Sequence, residues 1–68
     1  MIEKLDLCAL NDTDRTVTVA VDGVRYEYWL GDRYWDTTAR VKRYLRRGRR
    51  GQALNFLKAR AVKTDRLG

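Results

Sequence analysis

The chain of 68 residues has no histidine, no serine, no proline and one cysteine, Cys8. Each absence removes a class of chemistry. A lone thiol cannot form an internal disulfide, and without histidine it leaves no Cys/His set for a structural zinc site. Neither a Ser-His-Asp triad nor a Cys-His pair can be assembled within one copy. No apolar run approaches the roughly 20 residues needed to span a bilayer. Met1-Ile2-Glu3-Lys4 carries no basic stretch ahead of an apolar core, so no signal peptide is expected. No carboxylate pair falls at a spacing that places both on one site, and Arg47-Gly48-Arg49-Arg50-Gly51 lacks the lysine and hydroxyl of a phosphate-binding loop. This inventory points away from an enzyme, a metal or a cofactor, and toward a small cytoplasmic binding module.

What is present is a globular balance, with 44% hydrophobic and 35% charged residues. A chain this short buries only about 60% of the surface its unfolded form exposes, so one domain of modest stability is expected. The net charge of +6 hides an asymmetry. Residues 1–36 hold four basic residues against eight acids, a balance of −4, while residues 37–68 hold eleven basic residues and one acid, Asp65, a balance of +10. Such a block either binds polyanions or repels itself. Arginine outnumbers lysine eleven to four. Guanidinium groups suit bidentate phosphate contacts, although a GC-rich genome also raises arginine content.

The first strand is expected over Ile2–Leu10, with Leu5, Leu7 and Ala9 alternating against Lys4, Asp6 and Cys8. The cluster Asn11-Asp12-Thr13-Asp14 reads as a turn. Thr16–Val21 alternates and is rich in β-branched residues, then Asp22-Gly23 supplies the pair preferred in a two-residue type I′ hairpin, and Val24–Leu30 returns. That turn sets the register: Val21 with Val24, Val19 with Tyr26 and Val17 with Tyr28 on an apolar face. Ala20 with Arg25, Thr18 with Glu27 and Thr16 with Trp29 fall on the other. A helix capped by Asp32 or Asp36 follows, with Tyr34, Thr38, Val41 and Leu45 as its apolar stripe and Tyr44 at the margin. Gly48–Gly51 ends it, a second helix runs from about Gln52 to Val62 on Ala53, Leu54, Leu57 and Ala61, and residues 63–68 read as a flexible tail. The expected architecture is one α+β domain over residues 1–62: a three-stranded antiparallel meander with two C-terminal helices on one face.

Gly23, Tyr26, Tyr28, Gly51 and Asn55 stand in an order that resembles the KTSC family, small bacterial proteins named from the C-terminal domain of some lysyl-tRNA synthetases. These proteins place a Tyr-x-Tyr motif after a glycine-containing hairpin, and a glycine four residues before an asparagine in the helical part. The likeness spans roughly residues 2–60. It departs at the proline that usually follows Tyr-x-Tyr and at the aromatic pair before the asparagine, where Ala53-Leu54 stands. An Ile-Arg pair usually follows the asparagine, where only Arg60 is near and out of register. The resemblance implies the α+β fold and, as the usual suggestion for that family, RNA binding.

The strongest functional signal is the run from Arg40 to Gly51, in which Arg40, Lys42, Arg43, Arg46, Arg47, Arg49 and Arg50 crowd eleven positions. A merely solvated helix face interleaves both signs, because like charges one turn apart repel. Nucleic acid is therefore the expected partner, RNA ahead of DNA on the resemblance, with low sequence specificity. The alternative is an adaptor or inhibitor of bacterial or phage type that docks the basic helix on an acidic protein; a homo-oligomer stays open. Trp29, on the polar sheet face, and Trp35, beside the basic helix face, are candidates to stack a base. Trp29 could equally pack on the first strand or on a second copy. Tyr26 and Tyr28 share a face with four valines, so burial under the helices is the cheaper account of them.

Overall fold

The computed structural model describes residues 4–68. Asp22 and Gly23 both take positive φ, 52° and 85°, and turn β2 (Thr16–Val21) directly into β3 (Val24–Trp29). Open space surrounds the position a Cβ would occupy at Gly23, so glycine is favoured there by backbone conformation alone. The register has Val21 opposite Val24, Val19 opposite Tyr26 and Val17 opposite Tyr28, as the two-residue turn dictates.

β1 (Leu5–Asn11) pairs antiparallel with β2, and its ladder slips between Leu7 and Ala9. The expected start at Ile2 lies outside the described residues. The slip is a bulge at Cys8, and it resets the alternation. Leu5 and Leu7 oppose Val21 and Val19, but past the bulge Leu10, not Ala9, opposes Val17 and packs on the core. Ala9 is displaced to the side of Thr18 and is exposed. The turn that follows is held by Asn11, whose Oδ1 accepts from the Asp14 N–H at 2.9 Å.

Among the described residues the sheet has four strands rather than three, in the order β1-β2-β3-β4, all antiparallel. Lys63–Arg66 form β4, where the sequence suggests a frayed tail. They pair with β3, Trp29 opposite Lys63 and Tyr26 opposite Arg66, and backbone bonds at Val62 and Leu67 bracket the pairing. The stabilisation is non-local: β3 presents an open edge, and the Trp29 indole N–H donates to Asp65 at 3.0 Å.

Between β3 and β4 the chain makes a helical hairpin, α1 (Tyr34–Arg46) and α2 (Arg50–Arg60). Neither Asp32 nor Asp36 caps α1. A short 3₁₀ turn over Gly31–Arg33 leads into the helix, Arg33 stands at its N-cap without a side-chain bond, and Asp32 instead accepts from Arg15 at 2.9 Å. Asp36 lies in the first turn, where its charge suits the helix dipole. At the other end Gly48 takes φ 72°, its N–H reaches Leu45 O and the Arg49 N–H reaches Tyr44 O. This is the paired-bond glycine stop. α2 begins two residues earlier than expected, at Arg50.

Both helices cover one face of the sheet. Val17, Val19, Tyr28, Leu30, Tyr34, Val41, Ala53 and Leu57 are almost fully buried there, with Leu45, Tyr44 and Phe56 at the margin. Tyr28 is thus a core residue and Tyr26 packs against the core half-buried, their ring centroids 6.5 Å apart. Burial, and secondarily the neighbouring Tyr26, raises the pKa of Tyr28.

Candidate functional site

Seven basic side chains of residues 40–50 are exposed, and the two helices set where each one stands. Burial of Tyr34, Thr37, Thr38 and Val41 orients α1. At 100° per residue, Lys42 and Arg46 then fall on one flank with Trp35, and Arg40 and Arg43 on the flank beside α2. Arg43 and Arg46 also lie in the last turn, where cations suit the negative end of the helix dipole. That accounts structurally for two of the seven.

Arg49 and Arg50 have the opposite relation to their helix. They occupy the N-cap and first position of α2, whose first turn holds no acid and whose N-cap makes no side-chain bond. Helix physics favours a carboxylate or hydroxyl at these positions and disfavours cations. The first helical bond runs from the Ala53 N–H to Arg49 O, so the N–H groups ahead of it face outward. A groove lined by Gly48, Arg49, Gly51, Gln52 and Asn55 opens here. Placing arginines at the positive end of a helix costs stability unless an anion supplies the missing partner.

Among the described residues the ion pairs are Arg15–Asp32 and Lys63–Asp65. None of the basic residues of α1, α2 or the turn between them belongs to either. Asp36 lies one turn before Arg40 on the same flank of α1 without forming an ion pair, and three further acids are engaged or placed elsewhere. Asp32 holds Arg15, Glu27 lies in β3 opposite Asp65, and Asp12 accepts from the Tyr34 hydroxyl at 2.6 Å. Tyr34 is fully buried, and burial together with that bond to Asp12 pushes its pKa up to about 12.

The structure separates the two tryptophans. Trp29 pairs with Thr16 and Lys63 on the sheet face turned away from the helices. It is half-buried, its N–H is engaged by Asp65, and Lys63 Nζ sits 5.3 Å from its ring centroid. Trp29 therefore does not join the basic cluster. Trp35 lies on the flank of α1 that also carries Lys42 and Arg46, but in the first turn, about 10 Å along the axis from Lys42; it is 57% exposed, with its ring set edge-on to Tyr34 at 5.0 Å.

Two residues near the cluster go unnoticed in a reading of the basic run. Phe56 and Arg60 lie one turn apart on α2, on the flank that meets α1. Arg60 Cζ stands 4.8 Å and Arg40 Cζ 5.2 Å from the Phe56 ring centroid. The signal available in the sequence is the spacing of Phe56 and Arg60, but only the packing of the two helices brings Arg40 to the same ring.

The chain matches no family model, no curated protein and no solved structure. Among the described residues, no helix is long and apolar enough to cross a membrane.

Proposed function

We propose that the protein is a small nucleic-acid-binding accessory module that contacts phosphates through α1 and the Gly48–Gly51 turn. Arg40, Lys42, Arg43, Arg46, Arg47, Arg49 and Arg50 supply the charge, and Trp35 offers a stacking surface at the edge of the cluster. The observation that carries this reading is the uncompensated charge at the α1–α2 junction. Among the described residues, the seven exposed cations of residues 40–50 have no ion-pair partner, and two of them stand at a helix N-terminus where the helix itself disfavours them. Contacts of this type position a protein on a backbone without reading bases, so specificity is low. RNA stands ahead of DNA on the resemblance to the KTSC family.

The test is the double variant Arg43→Glu, Arg47→Glu, examined by thermal melting and by fluorescence anisotropy with a labelled oligonucleotide. The first change relieves repulsion with Arg40 and Arg46 by a few tenths of a kcal/mol per pair. The second sets a carboxylate at the negative end of the α1 dipole and costs a similar amount. Stability should therefore stay within about 1 kcal/mol of the parent. Oligonucleotide affinity should fall by at least tenfold, because two phosphate attractions become repulsions. Retained affinity, or a variant that unfolds, removes the proposal; tight capture of an acidic protein in place of the oligonucleotide transfers it to the adaptor reading.

A further inference from the structure

The groove between α1 and α2 holds three guanidiniums that the core does not need. It measures about 300 Å³ and is lined by Asp36, Ala39, Arg40, Arg43, Phe56 and Arg60. Arg40 and Arg60 both lie over the Phe56 ring, which places their charges within about 10 Å of each other, the sum of the two ring distances. That is about one Debye length at ordinary ionic strength, so the two repel each other. Asp36 lines the groove but forms no ion pair with any of the three, and among the described residues none of them donates a side-chain hydrogen bond.

Contact with the Phe56 ring explains how the arginines are held. A guanidinium lying on an aromatic ring uses its face, while its five N–H donors remain in the plane at its edge. Phe56 thus holds two guanidiniums close to its ring while, among the described residues, neither donates a side-chain hydrogen bond, and Tyr44, edge-on at 6.1 Å, supports the ring in turn. Arg60 is half-buried in this arrangement, so part of its ordering cost is already met before a ligand arrives. A tetrahedral oxyanion with acceptors on several sides suits two such guanidiniums, and the volume lies at the bottom of the roughly 300–1,000 Å³ range of small-molecule sites. One phosphate group fits that description better than a nucleoside.

We infer that this groove is a preorganised seat for a single phosphate, gripped by Arg40 and Arg60 across Phe56, with Arg43 at the rim and Asp36 opposing entry. That the phosphate comes from a nucleic-acid backbone rests on the function proposed above; the seat itself does not. Lys58 provides the control, since it lies on the other flank of α2 beside Tyr26 and Tyr28. Arg60→Gln and Lys58→Gln remove the same charge at different places.

Two titrations on the full chain decide it. In the first, pyrophosphate is added while the arginine side-chain N–H signals are followed by NMR. Shifts should concentrate at Arg40 and Arg60, weaken roughly tenfold in Arg60→Gln and stay unchanged in Lys58→Gln. Asp36→Asn should bind more tightly than the parent, a change of opposite sign that misfolding cannot mimic. In the second, oligonucleotide binding is measured against salt: Arg60→Gln should lower the log–log slope by about one, and Lys58→Gln should leave it nearly as it was. Pyrophosphate bound in the groove with no oligonucleotide binding keeps the seat, assigns it to a small phosphate ligand and removes the nucleic-acid reading. Equal losses in Arg60→Gln and Lys58→Gln, or shifts spread evenly over Arg46 and Arg49 as well, overturn the seat.

Discussion

Tyr34 shows how much one side chain ties together. Its ring, at the start of α1, is buried, its hydroxyl donates to Asp12 in the β1–β2 turn, and its edge contact supports Trp35. Burial, reinforced by the Asp12 bond, pushes its pKa up to about 12, against an ordinary phenol near 10. A group whose folded pKa is raised stabilises the fold fully below its unfolded value, and that contribution disappears as pH climbs through the folded value. Between pH 10 and about 12 the native protein should lose on the order of 3 kcal/mol that Tyr34→Phe does not lose. Near neutral pH the same substitution should cost only about 0.5–1.5 kcal/mol, since exposed Asp12 regains water. Denaturant melts across the alkaline range, beside ultraviolet titration of the tyrosinates, provide the check. Superimposable alkaline limbs for the two proteins contradict the assignment. The place of Tyr34 in the core is legible in the 3.6-residue period, whereas its bond to Asp12 spans 22 positions and leaves no trace in local pattern.

At the scale of elements, legibility follows the range of the forces involved. The β2–β3 hairpin can be read to the residue because Asp22-Gly23 is a local conformational instruction and the register follows from it. The stripe of α1 can be read because its period is local as well. β1 is legible only up to Cys8: a bulge is decided by how an edge strand fits its neighbour, and alternation alone carried Ala9 to the wrong face. β4 is the larger omission. Lys-Thr-Asp-Arg has neither apolar alternation nor β-branched enrichment, and it becomes a strand because β3 offers an edge and Trp29 offers Asp65 a donor. The same pairing takes Trp29 out of the candidate site. Hydrogen exchange tests the strand directly. The amides of Arg25, Val62 and Leu67 donate to Gly68, Trp29 and Arg25 across this edge, so they should exchange far more slowly than unstructured amides. Exchange at unprotected rates for Val62 and Leu67 would restore the frayed tail.

Over the whole molecule, the fold converts a difference between sequence halves into a difference between ends. α1 starts near Asp12, Asp32 and Asp36 and finishes at Arg43 and Arg46. Its thirteen residues carry the chain about 20 Å from the acidic end to the basic one. The α2 N-terminus then adds Arg49 and Arg50 to the positive end. Such an arrangement steers a polyanion toward the basic side chains of the helical hairpin. The density of arginine is plain in the sequence. Its lack of ion-pair partners among the described residues, and the meeting of Arg40 and Arg60 over Phe56, depend on tertiary packing.

The most direct measurement is the salt dependence of binding to an unrelated single-stranded oligonucleotide. If the exposed arginines neutralise four to six phosphates, log K should fall linearly with log salt at a slope of roughly −3 to −5. No detectable binding at low salt, or a slope near zero, would contradict the account that these charges serve a nucleic-acid backbone.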